Sequence, residues 1–114
     1  MKFHWTNRLG VATFFTVLIF LAAMPVKAQD GKSLFKANCA SCHKALKNST
    51  GPMLQGAKAR WAEADEADAI YQWVKDPIGL VESGTSQYAK EISTFSPTDM
   101  TPQGALTNDE IDAI

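Results

Sequence analysis

Five consecutive residues constrain this 114-residue chain more than anything else in it: Cys39-Ala40-Ser41-Cys42-His43. Two cysteines separated by two residues, with a histidine directly after, form the attachment pattern of a c-type haem. On that reading the sulfurs of Cys39 and Cys42 add across the two vinyl groups of a porphyrin, and His43 is delivered to the iron from the same side. The two thioethers pin one edge of the ring while one more residue of chain brings an imidazole beneath the metal. A chain fastened this way has to fold around the ring. That suits a short polypeptide, because small domains bury too little surface for a core of side chains alone.

Other uses of the two cysteines fit less well. Both lie inside the motif, so a disulfide between them would be a redox pair rather than a framework for a secreted scaffold. Tetrahedral zinc wants another pair of Cys or His ligands, and the only histidine besides His43 is His4. A thioredoxin-like pair needs a βαβ setting, whereas the periodicity of this chain indicates helices and loops.

The amino terminus reads as a secretory signal, residues 1–28. Lys2 and Arg8 make a positive start, and Leu9 to Met24 is apolar apart from Thr13, Thr16 and Gly10. Pro25 follows, and Val26-Lys27-Ala28 offers small residues before a cut after Ala28. The apolar run falls short of the ~20 residues that span a bilayer comfortably, so cleavage is expected, with an uncleaved membrane anchor as the alternative. Export to the periplasm, or to the periplasmic face of the inner membrane, agrees with covalent haem attachment outside the cytoplasm.

Removing that segment changes the charge. The whole chain carries −1, but without Lys2, Arg8 and Lys27 eight basic side chains face twelve acids, a net of −4. From Gln29 to Arg60 the balance is +5, with Lys32, Lys36, Lys44, Lys47, Lys58 and Arg60 against Asp30 alone. From Trp61 onward it is −9. Such asymmetry does not suggest a nucleic-acid partner; it suggests either an electrostatic dipole that orients docking encounters or simply solvated faces.

Residues 29–114 read as one domain. Asp30 can cap a helix in which Leu34 and Phe35 form an apolar stripe beside Lys32 and Lys36. Lys44 to Thr50 lacks periodicity and is expected as loop. Trp61 to Lys75 reads as one long helix: Glu63, Asp65, Glu66 and Asp68 suit its positive end, Ala67, Ile70, Tyr71, Trp73 and Val74 supply an apolar face, and Asp76-Pro77 stops it. Ile78 to Val81 makes a short turn ended by Ser83-Gly84. Thr85 or Ser86 then caps a segment in which Tyr88, Ile92 and Phe95 recur at helical spacing as core residues over the haem edge. Thr107 and Glu110 form a capping box for a last helix with apolar residues at Ile111 and Ile114. The sequence ends within that helix, which suggests that a longer chain continues it.

Gly51-Pro52-Met53-Leu54-Gln55-Gly56, following the Cys-x-x-Cys-His motif, resembles the Gly-Pro-x-Leu-x-Gly segment of class I cytochromes c. The resemblance implies an all-α cytochrome c fold of three to five short helices around the haem, with the last helix truncated and crossing the first. It implies that the Pro52 carbonyl orients His43, that Leu54 lines the proximal pocket, and that a tryptophan, Trp61 or Trp73, reaches a propionate. It also implies a distal methionine ligand ahead of the last helix. Met100, between Pro97 and Pro102, has that position; the family commonly has proline directly after this methionine, and here Thr101 intervenes. Met24 lies in the signal segment and Met53 is too near His43 to cross to the other face.

The implied cofactor is haem c with iron ligated by His43 and Met100, and the implied function is single-electron transfer in a bacterial respiratory chain. With both axial positions filled there is no open site for a small-molecule substrate, and catalytic acid–base constellations are absent, so an enzyme is not expected. The expected partners are redox proteins. Two alternatives stand: a haem module of a multihaem or membrane-bound quinol-oxidising or oxidase complex, attached to the membrane through its N-terminus or a further C-terminal part, and a haem-based sensor or ligand-binding domain in which Met100 does not ligate.

Overall fold

The computed structural model describes residues 30–114, so the expected signal segment and its cleavage point lie outside the described residues. Among the described residues the chain forms six α-helices, one 3-10 turn and no strand. The helices are α1 (Gly31–Asn38), α2 (Ala57–Glu63), α3 (Ala69–Lys75), α4 (Pro77–Ser83), α5 (Gln87–Ile92) and α6 (Asn108–Ala113), with the 3-10 turn Ser93–Phe95 directly after α5. None is long and apolar enough to cross a membrane.

Helices this short are marginal alone, and four of the six, α1, α4, α5 and α6, begin on a side chain that accepts from their free N–H groups. The Asp30 carboxylate accepts from the Lys32 N–H (3.1 Å) and the Ser33 hydroxyl (2.8 Å) at the head of α1. Asp76 accepts from the Gly79 N–H (3.0 Å), and Pro77 occupies the first position of α4, where a missing N–H costs nothing. Ser86, rather than Thr85, caps α5 by accepting from the Ala89 N–H at 2.9 Å. Thr107 and Glu110 form the expected capping box: the Thr107 hydroxyl accepts from the Glu110 N–H, and the Glu110 carboxylate accepts from the Thr107 N–H.

The single helix expected from Trp61 to Lys75 is instead two, which brings the number of helices to six. The chain enters earlier, at Ala57, and breaks between Glu63 and Ala69, where Asp65 takes a left-handed conformation with φ of 60°. Aspartate tolerates that region better than most side chains. Glu66 leaves the helix face to serve another element. Its carboxylate accepts from the Ser86 hydroxyl and from the backbone N–H groups of Gln87 (2.9 Å) and Tyr88 (3.2 Å), so it reinforces the start of α5. The acids therefore mark a corner between helices instead of the positive end of one.

That corner lets α2 and α3 fold around a small apolar centre. Trp61, Ile70, Leu80 and Ala89, one from each of α2 to α5, are buried together. Trp61 meets Tyr88 edge-on with ring centres 4.8 Å apart and Trp73 at a 45° tilt and 6.0 Å; such contacts add about 0.5–1.5 kcal/mol beyond area. Tyr88 packs in the core as expected. Phe95, in the 3-10 turn, lies outside this centre and is 41% exposed.

The two ends of the domain meet where α1 packs on α6. Gly31 lies so close to the Ala113 carbonyl that a side chain there would collide with it. The Asp112 carboxylate accepts from Lys58 Nζ (2.7 Å) and the Tyr71 hydroxyl (2.9 Å), tying α6 to α2 and α3. Between α5 and α6, the loop that carries Met100 is fastened by the Gln103 N–H donating to the Val74 carbonyl at 2.9 Å. That bond seats the methionine loop against α3.

Candidate functional site: a cavity between the cysteine turn and the methionine loop

The backbone hydrogen bonds of α1 run straight into the cysteine motif. Cys39 N–H and Ala40 N–H both donate to the Phe35 carbonyl (2.9 Å each), and His43 N–H donates to the Cys39 carbonyl at 2.9 Å. The motif is thus one further turn of chain set rigidly on α1. Gly51 N–H then donates to the Cys42 carbonyl (2.8 Å), which folds the Gly51-Pro52 segment back beneath the histidine.

Two consequences fix the imidazole. His43 Nδ1 lies 2.7 Å from the Pro52 carbonyl oxygen, which can only accept, so Nδ1 donates and carries the proton. Nε2 is left with its lone pair free, the form a metal requires, and a carbonyl behind a ligating histidine raises its donor strength. Gly51 is buried against the ring, and a Cβ there would stand 2.7 Å from both ring nitrogens. Only glycine leaves room for the imidazole in this position.

Further bonds brace the loop below the ring. Leu54 N–H donates to the Lys44 carbonyl (3.1 Å), Gln55 N–H to the Ala45 carbonyl (2.9 Å) and Met53 N–H to Asn48 Oδ1 (3.0 Å). The Arg60 guanidinium donates to the carbonyls of Met53 (2.7 Å) and Gln55 (2.8 Å), anchoring the loop to α2. Sequence reasoning counted Arg60 only as charge and Asn48 only as loop. An arginine a few residues after a Gly-Pro loop is too common a pattern to have revealed this brace.

A cavity of about 350 Å³ opens above the histidine, within the range of cofactor sites. Cys39, Cys42, His43 and Pro52 line one side, Met100 and its neighbours another, and Trp73, Ile78, Val81, Ile92 and Phe95 give it apolar walls. The structure therefore brings four of the sequence-derived residues and Met100 to one space. Of the two tryptophans, Trp73 reaches the cavity and Trp61 belongs to the core. Leu54 is half-buried and lies outside the cavity lining. Met53 is 38% exposed and also outside it.

The donor set fits a covalently held haem. Both cysteines are free thiols on one wall. Burial pushes the Cys39 thiol up from its ordinary value, opposite to the lowered value of a reactive dithiol pair. No group of three or more His, Cys, Asp or Glu side chains suited to a metal ion occurs among the described residues, as a tetrahedral zinc site would need. The family model of cytochrome c matches residues 28–114.

The chain belongs to the cytochrome c family. Cytochrome c from Rhodothermus marinus is similar in structure, with 26% sequence identity, a TM-score of 0.60, and coverage of 76% of this chain and 69% of that one. No curated protein sequence matched. Membership in the cytochrome c family accounts for the all-α architecture and carries with it a covalently bound haem c and haem-based electron transfer.

Proposed function

We propose that this cytochrome c carries single electrons in a bacterial respiratory chain, through one haem attached at Cys39 and Cys42 and ligated by His43 and Met100. The observation that carries the reading is the convergence of both thiols, the orienting Pro52 carbonyl and the Met100 thioether on one cavity. When bound, the haem supplies one-electron exchange between ferrous and ferric iron. The chain's own residues do the rest. Pro52 and Gly51 hold His43 in one tautomer and one orientation. Ile78, Val81, Ile92 and Phe95 keep water from the ring face, which disfavours the extra positive charge of the ferric state. The Gln103–Val74 bond seats the loop that presents Met100. Trp73, which lines the cavity, is the tryptophan for a propionate.

With an imidazole and a thioether as ligands, no position is left for a substrate, so the domain acts as a carrier. Lys32, Lys36, Lys44 and Lys47 are exposed on α1 and around the cysteine turn, and Leu46 beside them is 72% exposed. Charge of one sign around an apolar tip suits an acidic redox partner approaching the thioether edge. The signal-like amino terminus supports export to the periplasm, free or held at the membrane. The ligand assignment is tested by the ferric absorption spectrum. A sulfur–iron charge-transfer band is expected in the wild-type protein and its loss in Met100→Ala; persistence of the band in the variant overturns the assignment.

A further inference from the structure

Five ionisable side chains line the cavity: Cys39, Cys42, His43, Glu82 and Asp99. On the reading proposed above, on which this inference rests, attachment and ligation engage the first three. Those that remain are both acids. No lysine and no arginine lines the cavity among the described residues, although the chain holds eleven basic side chains.

Asp99 adjoins Met100, whereas Glu82 stands on a different element. It lies in the last turn of α4, on the face that also turns Ile78 and Val81 to the cavity, the i, i+3, i+4 set of one helix side. Its carboxylate has no ion pair among the described residues, where Lys58–Asp112 is the one salt bridge. The elements packed against α4 bring no counter-charge to the cavity: α3 contributes Trp73, and α5 with its 3-10 turn contributes Ile92, Ser93 and Phe95. Lys75 of α3 is engaged with Asn108 at 2.5 Å, and Lys90 of α5 points elsewhere, outside the lining.

We propose that Glu82 is a potential-setting residue of this cytochrome, one that lowers the reduction potential by its charge and couples electron uptake to proton uptake. The iron is one charge more positive when oxidised. A carboxylate on the cavity wall therefore stabilises the ferric form over the ferrous form, by an amount that solvent screening reduces because Glu82, like Ile78 on the same face, is exposed. Coupling between two charges is reciprocal. Reduction removes the positive charge that favours the carboxylate, so the ferrous protein binds a proton at Glu82 more tightly. Over the pH range between those two affinities, one electron from the donor and one proton from water enter together. The potential then falls as pH rises.

The test is a spectroelectrochemical titration of the haem-loaded protein from about pH 4 to 8, on wild type, Glu82→Gln, Glu82→Lys and, as control, Glu91→Gln, an exposed acid of α5 outside the cavity lining. The expected result is a midpoint potential at pH 7 raised in Glu82→Gln, raised further in Glu82→Lys and unmoved in Glu91→Gln, with the pH-dependent fall of the wild type flattened in Glu82→Gln. A Glu82→Gln potential equal to wild type, or a shift no larger than that of Glu91→Gln, overturns the proposal. A raised potential with an unchanged slope overturns its proton-linked half. Failure of the underlying ligand reading looks different: the wild-type ferric spectrum would itself lack the sulfur–iron band, whatever Glu82 does.

Discussion

Replacing Gly51 by alanine puts the orientation of His43 to a quantitative test. The new methyl would collide with Cε1 of the imidazole and stand 2.7 Å from both ring nitrogens, where ordinary contact begins at 3.4 Å, so ring and backbone must part by more than about 0.7 Å. The hydrogen bond from Nδ1 to the Pro52 carbonyl is 2.7 Å long, and a retreat of that size takes it past the ~3.2 Å limit of a good bond. Overpacking a tight site costs about 1–3 kcal/mol, and the lost bond adds about 0.5–1.5 kcal/mol. Unfolding of the ferric, haem-loaded protein in guanidinium should therefore show Gly51→Ala less stable by about 2–4 kcal/mol. An imidazole without its carbonyl partner is a weaker donor to ferric iron, so the midpoint potential should rise as well. A stability loss below about 0.5 kcal/mol together with an unmoved potential would refute the claim that Gly51 and Pro52 act together to set the ligand.

Two further outcomes follow from the packing and the caps. Gly31→Ala drives a methyl into the Ala113 carbonyl where α1 meets α6, so thermal melting should reveal a loss of about 1–3 kcal/mol, and an unchanged Tm would mean that the helices do not cross there. The Glu66 carboxyl is held below the usual glutamate range, chiefly by the Ser86 hydroxyl and then by the N–H groups of Tyr88 and Gln87. Its contribution is whole above that range and is lost as pH falls through the lowered native value. Melting curves should show Glu66→Gln less stable than wild type at neutral pH, with the gap closing below about pH 4; a constant gap would mean that the charge plays no part.

What the sequence made legible was local. Asp30, Asp76-Pro77 and the Thr107–Glu110 box act on backbone groups two or three residues away, so spacing alone exposes them. The cysteine motif is legible for the same reason, since attachment and ligation are completed within five residues. The corner at Asp65 is different. Nothing between Glu63 and Ala69 breaks a helix by composition, and Glu66 leaves the helical face for the head of α5, twenty residues on. Choosing Trp73 over Trp61 likewise needed the fold, because the break at Asp65 decides which ring faces the core and which the cavity. Arg60 and Lys58 read as charge in the sequence, yet one braces the loop under the histidine and the other ties α6 down. These are tertiary choices that periodicity does not encode.

In the proposed reading Cys39 and Cys42 both hold the haem so that His43 meets the iron. The pyridine haemochrome spectrum of the denatured protein tests it most directly, for wild type beside Cys39→Ala and Cys42→Ala. The expected result is a wild-type haem that resists extraction and shows both vinyl groups saturated, and a spectrum displaced to that of a single thioether in each variant. A haem that extracts freely from the wild type, or a single-cysteine variant with the wild-type spectrum, would contradict it.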